Sequence, residues 1–293
     1  MPESAPIAYV NGEFLPLEEA RVSILDRGFQ FADGVYEVIP VYGGRPFRLD
    51  AHLARLERSL GEIRMDLPLG RASFAQRVRE LIARNGGEEC QAYLQVTRGA
   101  AMRNHPFPNA VNPTVVMTCT PVHPVPDEWI REGVSAITAE DIRWARCDIK
   151  SIALLPSVMM RQKAADSGAL EALWVHEGRV AEGAASNVFA VFDGRAVTPP
   201  DGHRVLPGIT RDVVLELAET QGLPVGTGEI AAADLERAEE LWITSSTKEV
   251  LPVTRVDGRW VGEGRPGPLF RTVLEAYRAR IGELRAGAEE EPT

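Results

Sequence analysis

Residues 121–128, PVHPVPDE, place three prolines within eight positions. Proline lacks the N–H that helix and sheet both use, and it drives the residue before it toward extended backbone. The stretch therefore reads as a linker, and no continuous helix or sheet-centre strand is expected to cross it. It divides the 293 residues into a small domain over 1–120 and a larger one over 129–284, with a disordered tail over 285–293. With 44% of residues hydrophobic, each part can bury a core of its own.

Periodicity separates strands from helices on either side. IAYVNGEFLPL reads as a hairpin, because Asn11-Gly12 readily takes the positive φ values of a tight turn. GVYEVIPVYGGRPFRL reads as a second hairpin, around Gly43-Gly44. Asp50 is placed to cap a helix, AHLARLERSLGEI, in which Leu53, Leu56, Leu60 and Ile63 share one face and Arg55 lies off that stripe. SFAQRVRELIARNGG reads as another helix, and AYLQVTRG and TVVMTCT as strands. Beyond the linker, VSAITAEDI, EALWVHEG, NVFAVFDG, RAVTPP and LWITSST read as short strands, with helices at PSVMMRQKAADSG and ITRDVVLELAETQG. The expected class is α+β, a small α/β domain followed by a β-rich domain with covering helices.

Charge and cysteine usage narrow the function. A net charge of -10 leaves no broad basic field for nucleic acid or an anionic membrane, so a small-molecule partner is expected. Cys90, Cys119 and Cys147 stand apart, with neither a disulfide framework nor zinc spacing. The first residues lack a basic start followed by a long apolar run, and no 18-residue apolar segment occurs. A soluble cytoplasmic protein without a metal is expected.

Lysine is scarce: of the 32 basic residues only Lys150, Lys163 and Lys248 are lysine. Arginine stays charged, whereas a desolvated lysine can lose its proton and attack a carbonyl. Lys163 and Lys248 sit in polar surroundings that suit ordinary solvated lysines. Lys150, in CDIKSIALLP, has apolar flanks. Locally two readings stay open: a neutral amine favoured by burial, or a strand-end lysine whose head reaches water.

Four further stretches could carry chemistry. Glu182 precedes the small-residue turn Gly183-Ala184-Ala185, where a flat ligand could approach and a carboxylate could hold a ring nitrogen protonated; a solvated carboxylate is the simpler alternative. LPGITRD leads from a glycine turn into a helix beginning at Ile209 and Thr210, which offers N–H groups to a phosphate or is capped by its own threonine. Thr244-Ser245-Ser246-Thr247 is a second hydroxyl-rich turn. Arg103 and His105, two apart in RGAAMRNHPFPN, can face one carboxylate or belong to an exposed basic loop.

Taken together, DRGFQFADGVYEV (26–38), RCDIKS (146–151), EGAASNVF (182–189), GITRD (208–212) and ITSSTKEV (243–250) resemble, in order and spacing, the class IV aminotransferases with the type IV pyridoxal-phosphate fold. The resemblance runs from Ile7 to Arg280, and within the class the chain is most similar to the D-amino-acid aminotransferases. It implies pyridoxal 5′-phosphate as cofactor, a pseudo-barrel second domain, and a homodimer. By the same resemblance Lys150 would form the Schiff base and shuttle the proton. Arg55, Ile209, Thr210 and Ser246 would bind the cofactor phosphate, and Glu182 would pair with the pyridine nitrogen. Tyr36, Arg103 and His105 would grip the substrate carboxylate, the last two from the partner subunit. The chain departs from the pattern at Ala184 and Ala185, where serines are common, and at Pro207, where a lysine is common.

The implied reaction is transamination of D-amino acids such as D-alanine and D-glutamate with 2-oxo acids such as 2-oxoglutarate. Alternatives on the same fold are a branched-chain L-amino-acid or R-selective amine aminotransferase, or an aminodeoxychorismate lyase. The Arg103-x-His105 pair separates these, since an amine without a carboxylate gives it nothing to grip. A non-catalytic binding protein that retains the fold is the alternative from another class.

Overall fold

A computed structural model describes residues 5–110 and 112–288. The chain forms two compact units. One takes the described residues up to His123, Ile149–Ala153 and those from Ile281 onward; the other takes Pro124–Asp148 and Leu154–Arg280. A division made linearly at the proline segment leaves out the return of Ile149–Ala153, and with it Lys150, to the first unit.

The first unit starts with β1 (Ile7–Val10) and β2 (Glu13–Pro16), joined through Asn11 and Gly12 at φ values of 49° and 110°. Next come a short helix α1 (Arg27–Phe31), β3 (Gly34–Tyr42) and β4 (Arg45–Pro46). Helices α2 (Leu49–Glu62) and α3 (Arg71–Arg84) follow, then β5 (Glu89–Thr97) and β6 (Thr114–Pro121). The strands make one antiparallel sheet, ordered β2-β1-β6-β5-β3-β4. Leu53, Leu56 and Leu60 of α2 and Phe74, Val78 and Leu81 of α3 fill the core against Ile39, Leu94 and Met117 of the sheet. Asp50 does not cap α2: the helix begins at Leu49 behind Arg48 in the left-handed region, and Asp50 instead places its charge in the first turn.

In the second unit the elements are α4 (Asp127–Glu132), β7 (Val134–Glu140), α5 (Leu155–Asp166), β8 (Glu171–His176), β9 (Arg179–Gly183), β10 (Asn187–Phe192) and β11 (Arg195–Thr198). They continue as α6 (Ile209–Gln221), β12 (Val225–Thr227), β13 (Ile230–Ala231), β14 (Glu240–Ser245), β15 (Glu249–Val256), β16 (Arg259–Trp260) and α7 (Pro268–Arg285), whose residues from Ile281 count with the first unit. Ten strands form a mixed sheet ordered β12-β11-β10-β14-β15-β7-β8-β9-β13, with β16 on β15. Leu173, Val188, Ile243, Leu251 and Val253 lie in its core. The α+β expectation holds.

The proline segment is less empty of structure than its composition suggests. Pro121 ends β6, and Pro126 sits at the N-cap of α4, so Asp127 and Glu128 open a helix rather than extend a linker. Proline suits that place because the first helical N–H groups have no partner to lose. At the other end, Arg285 closes α7 and donates to both carboxylate oxygens of Glu89. The tail expected from 285 thus starts as helix and turn, and 289–293 lie outside the described residues.

Candidate active site

Lys150 is fastened by its backbone. Its carbonyl accepts from Tyr36 N at 3.0 Å. Its N–H donates to Ser59 Oγ at 3.3 Å, and Ile152 N donates to Gly34 O at 3.1 Å. These bonds lay 150–152 along the start of β3 while leaving the side chain untethered, with Nζ 4.4 Å from the centroid of the Tyr36 ring. Ile149 is buried in the first unit's core. On the other side the apolar company expected of Lys150 faces outward: Leu154 is 39% and Leu155 69% exposed.

Tyr36 stacks on Tyr93 with centroids 5.7 Å apart. Burial, with Tyr36 beside it, pushes the Tyr93 hydroxyl up to about 12, so it stays protonated at neutral pH. Beside Tyr36, on the opposite side of the strand, lies a buried polar triad built on one ion pair. Arg55 Nε and Nη2 donate to the two oxygens of Glu37, each at 2.7 Å. His52 Nδ1 donates to Glu37 Oε2, also at 2.7 Å. Burial opposes ionisation of Glu37, but Arg55 and then His52 together outweigh it and hold the carboxyl far below the usual range. For His52 burial prevails and lowers its proton affinity, so the ring is neutral. Arg55, read from sequence as a phosphate ligand, is thus anchored by a carboxylate on β3.

In the loop after β5, Arg103 and His105 are exposed and share one neighbour. The Arg103 guanidinium lies 4.6 Å from the centroid of the Phe31 ring, and the His105 ring centroid 5.3 Å from it.

In the second unit, Glu182 ends a chain of fixed groups. Arg143 donates to both oxygens of Asp141, each at 2.9 Å, and through Nη1 to Glu182 Oε1. Leu206 N donates to Glu182 Oε2 at 3.0 Å. Asn187 Nδ2 reaches the same oxygen at 3.3 Å and Leu206 O at 2.9 Å. The sheet pairs Asn187 with Thr244, two residues before Ser246. A Cβ on Gly208 would come within 1.8 Å of Asn187 Oδ1, so only glycine lets α6 start this close. Asn187 therefore ties EGAASN, LPGIT and TSST together. Gly208 gives α6 no side-chain cap, and Thr244 Oγ1 is buried with no hydrogen-bond partner among the described residues. An anion-accepting helix start and buried hydroxyl, joined through Asn187 to a braced carboxylate, fit a phosphate and a protonated ring nitrogen.

A sequence model of the family described as Amino-transferase class IV matches residues 34–256. The chain belongs to the class IV aminotransferases. These enzymes depend on pyridoxal 5′-phosphate, in keeping with the cofactor expected. The chain is 44% identical over 271 residues to the D-alanine aminotransferase of Bacillus licheniformis, covering 92% of this chain and 95% of that one. It is 39% identical to the D-alanine aminotransferase of Staphylococcus haemolyticus, covering 93% and 97%. Among solved structures, the Escherichia coli branched-chain amino acid aminotransferase superposes with a TM-score of 0.88 at 26% identity, covering 95% of each chain. The T.th. branched-chain amino acid aminotransferase with pyridoxamine 5′-phosphate also gives 0.88, at 29% identity, covering 95% of this chain and 94% of that one.

For this aminotransferase the sequence left several site-forming residues unread. Glu37 and His52 look like the polar positions of an exposed strand and helix, yet both are 0% exposed. Asn187 and Arg143 carry no local signal, since they have partners up to 61 residues away. Lys248 differs from the solvated lysine expected: burial, reinforced by Arg161 and opposed by Glu171, lowers its proton affinity. Lys163 is exposed, as expected. Among the described residues no helix is long and apolar enough to cross a membrane, and no cluster could hold a metal ion.

Proposed function

We propose that this chain is a D-amino-acid aminotransferase that moves an amino group between D-alanine or D-glutamate and 2-oxo acids such as 2-oxoglutarate. The observation that carries this reading is the joint seating of Arg103 and His105 on the Phe31 ring, which supports a shared grip on one carboxylate. The 44% identity to a D-alanine aminotransferase, against 26–29% for the branched-chain enzymes, supports the D-amino-acid reading over the branched-chain one.

When bound, pyridoxal 5′-phosphate supplies the electron sink that makes a substrate Cα–H acidic. Lys150 is the base: its Nζ takes the proton from the substrate Cα and returns one to that atom in the reverse half-reaction. Glu182, braced by Arg143 and the Leu206 N–H, pairs with the ring nitrogen. Arg55, the Ile209 and Thr210 N–H groups and the Ser246 hydroxyl bind the phosphate. Tyr36, Arg103 and His105 hold the substrate carboxylate, which fixes which Cα hydrogen Lys150 can reach and so selects one enantiomer.

Arg103 and His105 act from the partner subunit of a homodimer in this reading. The surface that carries them supports it, since Ile24, Phe29 and Met102 are exposed at 76%, 78% and 79%. All three cysteines are free thiols, in keeping with a reducing cytoplasm.

Replacing Arg103 with alanine is expected to raise the KM for D-alanine by about tenfold or more, with a smaller change in kcat, because a charge-assisted bond to the carboxylate is lost. Steady-state kinetics check it. Wild-type D-alanine kinetics in Arg103→Ala would refute the carboxylate grip.

A further inference from the structure

Of the sequence block DRGFQFADG only the Phe31 ring enters the proposed function, yet the contacts of the whole block converge on the loop that carries Arg103 and His105. Asp26 is 1% exposed and accepts from Gly28 N at 2.8 Å, Thr97 Oγ1 at 2.9 Å and Thr114 Oγ1 at 2.6 Å, which pins the start of α1 to the ends of β5 and β6. Gly28 is required there, since a Cβ would meet Thr97 Cγ2 at 2.4 Å. From this fixed base α1 reaches the loop at four points. Arg27 N donates to Gly99 O at 2.9 Å, and Gln30 Nε2 to Ala101 O at 3.1 Å. The Arg27 guanidinium donates to Asn104 O at 2.5 Å and His105 O at 3.2 Å.

Arg27 is itself held. Its Nε donates to Asp33 Oδ2 at 2.7 Å, an oxygen shared with Arg98 Nε at 2.8 Å. The guanidinium plane that grips the loop backbone also lies 4.8 Å from the centroid of the Phe31 ring, the ring on which Arg103 and His105 rest. One end of α1 therefore holds the backbone at 104 and 105, and the other supports the two side chains that would meet a carboxylate. An exposed loop of long polar side chains would otherwise pay rotamer and backbone entropy each time a substrate bound.

We propose that Arg27 and Phe31 are positioning residues for the Arg103–His105 carboxylate grip, a role that rests on the function proposed above. Arg27→Lys keeps the charge beside Asp33 but cannot fork onto two carbonyls; Phe31→Leu keeps apolar bulk but removes the ring face. The test follows both variants, as purified enzyme, by amide hydrogen exchange and by steady-state kinetics with D-alanine. Expected are amides over 102–106 exchanging about tenfold faster, with β5 and β6 unchanged. The D-alanine KM should rise about tenfold while kcat stays within about threefold.

A merely structural role would spread faster exchange into β5 and β6 and lower kcat with KM, and that result would overturn the proposal. So would wild-type exchange and KM in both variants. Arg103→Ala, run alongside, separates the two levels: an unmoved KM there removes the grip itself. A KM raised in Arg103→Ala but unmoved in Arg27→Lys and Phe31→Leu overturns the positioning role alone.

Discussion

Replacing Lys150 with alanine should lower kcat/KM for D-alanine transamination by about 10⁴-fold or more, because in the proposed reaction Lys150 supplies both the covalent amine and the base at Cα. The backbone bonds that set residue 150, to Tyr36 and Ser59, do not involve its side chain, so the fold should survive the change. Lys150→Arg should do no better, since a guanidinium neither loses its proton nor forms a Schiff base. Lys163 is exposed and Lys248 is held in the second unit by surroundings of its own, so neither is expected to substitute. Activity within tenfold of wild type in Lys150→Ala, measured by 2-oxo acid production from D-alanine, would assign the base to another residue.

The largest effect on stability should come from Glu37. Glu37 is 0% exposed and carries two bonds from Arg55 and one from His52. Glu37→Gln keeps the shape but removes the charge that balances a buried guanidinium, and breaking such a pair costs about 3–5 kcal/mol. The sign of the pH dependence follows from the direction of the shift. Because the folded-state value is depressed, the contribution of Glu37 is complete above its ordinary value of 4.5 and is lost as pH falls below it. Neutral, buried His52 works the same way, since the unfolded ring takes up a proton more readily as pH falls through 6.5. The stability gap between wild type and Glu37→Gln should therefore be widest near neutral pH and narrow below about 4.5. Denaturant unfolding at pH 7 and at lower pH reads both quantities; a gap that widens on acidification would contradict the assignment of Glu37 as the buried anion.

What the sequence made legible was local. Alternation and turn chemistry located most of the strands, and Asn11-Gly12 marked its turn because two residues with positive φ leave few other choices. The five motif blocks, ordered along the chain, gave the family, and by that resemblance made Lys150, Glu182 and the start of α6 candidates for the proposed roles. What stayed hidden depends on partners distant in the chain. Arg27 meets the backbone of residues 77 and 78 positions away, which no periodicity reports. Glu37 is a lone carboxylate on a strand face shared with Val35 and Ile39, and α2 brings His52 and Arg55 to it. β15 was unread because Pro252 interrupts its apolar run, yet the structure pairs that proline with Trp242 in the middle of the sheet. Asp50 had the chemistry of a cap, but Arg48, two residues before it in the left-handed region, takes the N-cap position.

The central claim, that this class IV aminotransferase acts on D-amino acids, is tested most directly by a single half-reaction. Purified enzyme loaded with pyridoxal 5′-phosphate is mixed with D-alanine or with L-alanine in the absence of any 2-oxo acid, and the visible absorption of the cofactor is followed. Conversion to the amine form with D-alanine, at a rate at least about a hundredfold above that with L-alanine, is the predicted result. Conversion by L-alanine or branched-chain L-amino acids with none by D-alanine would contradict it.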